Sequence, residues 1–150
     1  MTSTRRDALD WVASVGVAAL LGVDVRVHAH LASQRWTGWH PLTPAQLFGI
    51  EAVLAAAAAL AVLLSGRRSV WIAAALVGAG GLVAVVVTRY IDIPSLGPIP
   101  SMYEPIWYGE KTWSALAEGL AALVAAGQLL RLGHRAPEPV ADRPAVTVRS

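Results

Sequence analysis

The chain has 150 residues, 55% of them hydrophobic and 15% charged, with a mean hydropathy of +0.53. Ordinary soluble domains are about 45–50% apolar and about 25% charged, so twelve basic and ten acidic side chains are few for a water-facing surface. The apolar excess excludes disorder over most of the length and leaves one small integral membrane domain as the expected class.

Cysteine is absent, which removes disulfides, zinc fingers, iron–sulfur clusters and thiol nucleophiles together.

Four apolar runs approach the 20 residues that a hydrocarbon core about 30 Å thick requires. The first covers residues 8–31, interrupted by Asp10, Asp24 and Arg26. Arg5 and Arg6 precede it as they would a signal peptide, but its length, Asp10 and the lack of an A-x-A site favour a retained helix. The second covers 44–64, with Thr43 as N-cap and Pro44 in the first turn. The third covers 70–89 and the fourth 111–130. Each is apolar all round, so the expected fold is an all-α, transmembrane four-helix bundle rather than a soluble amphipathic one. The domain is expected at residues 1–131. Residues 132–150, with Pro137, Pro139 and Pro144, read as a flexible cytoplasmic tail able to touch anionic lipid.

Lysine and arginine in short flanks set orientation. Arg5, Arg6, Arg67, Arg68, Arg131, Arg135, Arg143 and Arg149 fall on one side; Arg26, Arg35, Arg89 and Lys111 fall on the other. Both termini are therefore expected in the cytoplasm of a plasma-membrane protein. The basic residues serve as topology signals, and no nucleic-acid motif is present. Trp11 and Trp71 mark the inner interface. Trp36, Trp39, Tyr90, Trp107, Tyr108 and Trp113 mark the outer one.

The loops are unequal. Residues 65–69 make a short inner turn, whereas 32–43 and 90–110 make long outer connections. The longer one carries Pro94, Pro98, Pro100 and Pro105 among aromatics, the composition of a packed lid or of an interaction surface. Tyr103, Glu104, Trp107 and Tyr108 are its interaction candidates. A plain capping loop is the structural alternative.

Asp24, Glu51 and Glu118 each lie seven residues from the outer end of their run, roughly 10 Å deep. Intramembrane carboxylates are costly and mark functional sites. His28 shares a helix face with Asp24 at i,i+4, while Arg26 and His30 face the other way, where snorkelling explains them. Asp24, His28, Glu51, Glu118 and Arg89 are thus candidates for a ligand or proton site. A structural network, with Glu51 or Glu118 paired to Arg26 or Arg89, remains open beside it. Asp24, His28, Glu51 and Glu118 without thiols would suit zinc, iron, manganese or copper(II). Gly78, Gly80 and Gly81, with Gly16, Gly22, Gly119 and Gly127, allow close helix contact. Bis-histidine haem, a retinal lysine, P-loop, dinucleotide, HExxH and GxSxG patterns find no support, and the cofactor stays unknown.

Residues 27–64 ("VHAHLASQRWTGWHPLTPAQLFGIEAVLAAAAALAVLL") and 96–119 ("LGPIPSMYEPIWYGEKTWSALAEG") resemble small, uncharacterised four-helix membrane proteins of actinobacteria. The second stretch carries the Met-Tyr-Glu-Pro-x-Trp-Tyr and Glu-Lys pattern. The resemblance implies a four-helix membrane protein from a high-GC bacterium, and no activity or site residue comes with it.

Three functions are compatible. The first is a non-catalytic accessory subunit or ligand-binding component working at the extracytoplasmic face with lipid, another membrane protein or a second copy. The others are a proton-coupled transporter using Glu51 and Glu118, and a metal or redox protein.

Overall fold

The computed structural model describes residues 6–36 and 41–134. It is all-helical: α1 spans Ala8–Ala32, α2 Pro44–Leu64, α3 Arg68–Tyr90 and α4 Gly109–His134. All four are long and apolar enough to cross a membrane. The expected spans are found, with α3 and α4 longer at both ends. Helix α4 continues past Arg131 to His134, so residues 132–134 belong to the bundle and not to a tail. The expected flexible tail from 135 onward, and Arg5, Trp39 and His40, lie outside the described residues.

Local chemistry sets the helix starts. Asp7 caps α1 in a reciprocal capping box with Asp10, and Thr43 caps α2 in another with Gln46, followed by Pro44. Helix α2 ends against Arg6, whose guanidinium donates to the carbonyls of Leu63 at 2.8 Å and Val62 at 3.1 Å. A cation on the last carbonyls of a helix is favourable for its dipole.

The helices alternate in direction and close a ring in which each packs on its chain neighbours and α1 also packs on α4. Helices α2 and α3 make the sparsest of these contacts. One end of the bundle carries the three-residue turn 65–67 with the starts of α1 and the end of α4; we term it the turn end. The other, the connection end, carries the two longer connections. Buried positions recur at three- and four-residue steps: Asp10, Ser14, Val17, Leu21, Asp24, His28 and Leu31 on α1; Lys111, Ser114, Glu118, Ala121, Ala125 and Gln128 on α4. That spacing is the seam of a left-handed helix pair.

The interior is small and the exterior large. Ala55, Ala74, Ala121 and Ala125 are fully buried, while Leu64, Leu76 and Leu123 are at least two-thirds exposed. Lipid tails are as apolar as leucine, so close backbone approach, rather than apolar burial, holds such helices together. Trp71, expected at an interface, instead fills the turn end of the core beside Val62 and Ala74. The alanines around it leave the volume that its ring occupies. Polar contacts close the α1–α4 seam at this end: Gln128 Nε2 donates to Asp10 Oδ1, and Arg131 lies 3.5 Å from Asp10 and 3.3 Å from Asp7.

Of the glycines expected to permit packing, Gly78 and Gly81 do so. A Cβ on Gly78 would sit 2.7 Å from the Glu118 carbonyl oxygen and 3.1 Å from the Ala122 nitrogen. Gly80, Gly16, Gly22 and Gly127 face open space, and Gly119 has ordinary contact only. Gly78→Ala must force α3 from α4, an overpacking cost of about 1–3 kcal/mol. Thermal denaturation in detergent should place Gly78→Ala below the parent protein and Gly80→Ala at or above it. Equal midpoints for both variants would contradict the close contact.

Candidate functional site

Three of the four expected polar residues meet between α1 and α4. His28 Nδ1 lies 2.8 Å from Asp24 Oδ1 and 3.2 Å from the Asp24 carbonyl oxygen. Both neighbours are acceptors, so Nδ1 carries a proton and Nε2 is left as the ring's other functional atom. Across the seam, Ser114 Oγ lies 2.9 Å from Asp24 Oδ1 and 2.9 Å from Glu118 Oε1. Asp24 and Glu118 have no exposed surface, and Ser114 has almost none.

A serine hydroxyl has one proton, so it donates to only one of these carboxyls and accepts from the other. Asp24 already has His28 as a donor partner, whereas Glu118 has only Ser114 and the Asp24 carboxyl itself within hydrogen-bonding reach among the described residues. The chain of bonds closes with the proton on Glu118: Glu118 donates to Ser114 or to the Asp24 carboxylate, Ser114 to a carboxyl oxygen, and His28 to Asp24. The second oxygens, Asp24 Oδ2 and Glu118 Oε2, are buried without partners among the described residues. Gly81 makes the room, since a Cβ there would lie 2.7 Å from the Glu118 carboxyl carbon.

Above this cluster, toward the connection end, lies a cavity of about 660 Å³. Its floor is His28, Glu51, Ser114 and Gly81; Asp24 and Glu118 sit directly beneath. Phe48, Trp36, Leu31 and Val85 form apolar walls. The Phe48 ring is 5.7 Å from His28 and 5.4 Å from Trp36, tilted to both. Glu51 therefore faces the cavity but stands apart from the three-residue cluster, with Oε1 buried and unpartnered among the described residues.

The roof is the connection 91–108. Leu96 and Ile99 exchange backbone hydrogen bonds at 3.0 Å around Gly97, whose φ of 55° suits a residue without Cβ. The Leu42 N–H donates to the Pro98 carbonyl, joining the two connections. The Glu104 N–H donates to Thr88 of α3 at 2.9 Å, and Lys111 Nζ donates to the Glu104 carbonyl at 2.6 Å. Lys111 also lies 5.7 Å from the Tyr108 ring centre. Burial, then Glu104 and Glu110, push the Tyr108 hydroxyl above its ordinary range, so it remains a neutral donor. The connection is thus a strapped lid.

Of the loop candidates, Tyr103, Glu104 and Tyr108 line the cavity, while Trp107 points away and is exposed. Arg89 does not reach the cavity; its guanidinium lies 4.9 Å over Tyr90. Neither Arg89 nor Arg26 forms an ion pair with Glu51 or Glu118 among the described residues. His30 instead meets exposed Glu110 at 3.4 Å. Ser114 and Lys111 are site residues beyond the expected set. Both share the Glu118 face at three- and four-residue spacing, the signal that would have identified them.

Donor atoms of Asp24, His28 and Glu118 lie within 4.8 Å of one another, close enough to share one cation after small shifts. Their imidazole and carboxylate donors suit zinc, manganese or iron; Glu51 is outside the group. No family model, curated protein or solved structure matches the chain.

Ser114→Ala removes a hydrogen-bond partner from two buried carboxyls, at a cost of about 1–3 kcal/mol. Glu118→Gln is a neutral isostere and should cost less, so denaturation in micelles should rank Glu118→Gln above Ser114→Ala. The reverse order would contradict the proton placement. Lys111→Met removes the strap while keeping the stem, and limited proteolysis should cut the connection 91–108 faster than in the parent. Unchanged cleavage would show that the strap does not hold the lid.

Proposed function

We propose that the chain is a non-catalytic membrane component that binds a small molecule at its extracytoplasmic face. The observation that carries this reading is the cavity of about 660 Å³, with aromatic walls and a floor of His28, Glu51 and Ser114. Ligand sites are typically of about 300–1,000 Å³, apolar, with a few convergent polar groups. In this reading both termini lie in the cytoplasm of a plasma-membrane protein, supported by the basic residues gathered at the turn end. The lid closes over the ligand, and exposed Trp107 is left for a partner membrane protein or a second copy.

A second reading is favoured by the mutual closeness of Asp24, His28 and Glu118: a metal centre beneath the cavity floor. Asp24, His28 and Glu118 would hold such a cation, which would compensate the buried carboxylates and supply a Lewis acid beneath the cavity floor.

Native mass spectrometry of the gently solubilised protein separates the two. The first reading expects a bound organic mass that Phe48→Ala loses, with metal content below stoichiometric. The second expects one metal per chain, lost in His28→Ala. A lone chain with neither would overturn both.

A further inference from the structure

The cavity has a side wall between α2 and α3, where the bundle packs most sparsely. Ile50 of α2 and Ala84 of α3 both line it and are both exposed at the outer surface of the bundle. Each stands six residues from the connection end of its helix, roughly 9 Å down. In a spanning bundle that depth is hydrocarbon. The opening therefore faces acyl chains, and the route it offers suits a molecule already dissolved in the bilayer.

The floor restricts the polar end of that molecule. Among the described residues, neither Oε1 of the Glu51 carboxyl nor His28 Nε2 has a partner. Asp24 lies directly beneath as an anion held by two donors, with no exposed surface and with Oδ2 unpartnered among the described residues. Lys111 is a cation of the lining, but it belongs to the roof: its ammonium donates to the Glu104 carbonyl and lies 5.7 Å from the Tyr108 ring centre, and it is not among the charges beside Glu51. Among the described residues the floor thus presents acceptors and the Asp24 carboxylate to a ligand, whereas Lys111 stands in the roof and Arg89 lies outside the lining.

Resting on the ligand-binding reading above, we propose that the occupant is a membrane-dissolved amphiphile with a protonated amine. Its amine donates to Glu51 and to the floor, and its tail passes between Ile50 and Ala84. A fatty acid or phosphate-headed lipid would set like charges together. An alcohol would donate one hydrogen bond and leave the charge uncompensated.

Nanodiscs doped in turn with hexadecylamine, hexadecanol and palmitic acid, in chelator-treated buffer, followed by native mass spectrometry, test this. The amine should be retained at least about tenfold over the other two, the worth of one charge-assisted hydrogen bond. Glu51→Gln should erase that preference with the melting temperature kept as a folding control. Ala84→Trp, which obstructs the seam from the lipid side, should slow uptake of the amine. Equal retention of palmitic acid or hexadecanol, or an unaltered preference in Glu51→Gln, would overturn the amine while leaving a ligand site. Equal retention of water-soluble butylamine, or uptake unchanged in Ala84→Trp, would overturn the lateral route. Retention of no probe at all would overturn the ligand-binding reading with it.

Discussion

The bundle is organised around a cost: two carboxyls and an imidazole set between helices whose outer surfaces are leucine, valine and isoleucine. In an apolar surrounding an unpaired charge is far more expensive than in water, so these groups fix their neighbours rather than adapt to them. Ser114 has to stand between Asp24 and Glu118, His28 has to point its Nδ1 at Asp24, and α3 has to offer a glycine where the Glu118 carboxyl lies. The close α3–α4 approach at Gly78 and Gly81 and the α1–α4 seam are both consequences of that arrangement.

The same cost accounts for the position of the cavity. Small residues let the helices meet through the middle and the turn end, where Val17, Ala55, Ala74 and Ala121 form the core. Toward the connection end the α2 positions become Phe48 and Glu51, and the rings of Phe48, Trp36 and His28 prop that end open. The turn 65–67 holds α2 and α3 together at one end only, and the long connections let them part at the other. A roof pinned by Lys111 and Thr88 then covers the gap.

Much of this was legible in the sequence for simple reasons. Run length and capping residues mark helices well, and Thr43 with Pro44 placed the start of α2 to the residue. The equal seven-residue offsets of Asp24 and Glu118 placed them in one layer because antiparallel helices share a common end. Glu51 shares that layer but faces the cavity, since depth is encoded in residue count and azimuth is not. Ser114 was missed because a lone serine carries no charge to attract notice, although its spacing from Glu118 matched that of His28 from Asp24. Trp71 was misplaced at an interface because aromatic position along a helix does not tell whether the ring turns outward or into alanine-lined space. Arg89 drew attention by its charge, whereas its side chain turns to the adjacent Tyr90.

Fourteen residues separate Asp10 from Asp24 on α1, and fourteen separate Ser114 from Gln128 on α4. Asp24 bonds Ser114 and Asp10 bonds Gln128, so the two cross-links bound equal stretches of antiparallel helix, two heptads long. The pair behaves like a rail bolted at both ends. A slip of α1 along α4 by even one turn would break both bolts together and take from each of two buried carboxylates its partner on the other helix, so piston motion between these helices is opposed. Any widening or narrowing of the space above Asp24 must come instead from the rest of the ring, where no such fastening is found among the described residues and α2 and α3 pack most sparsely.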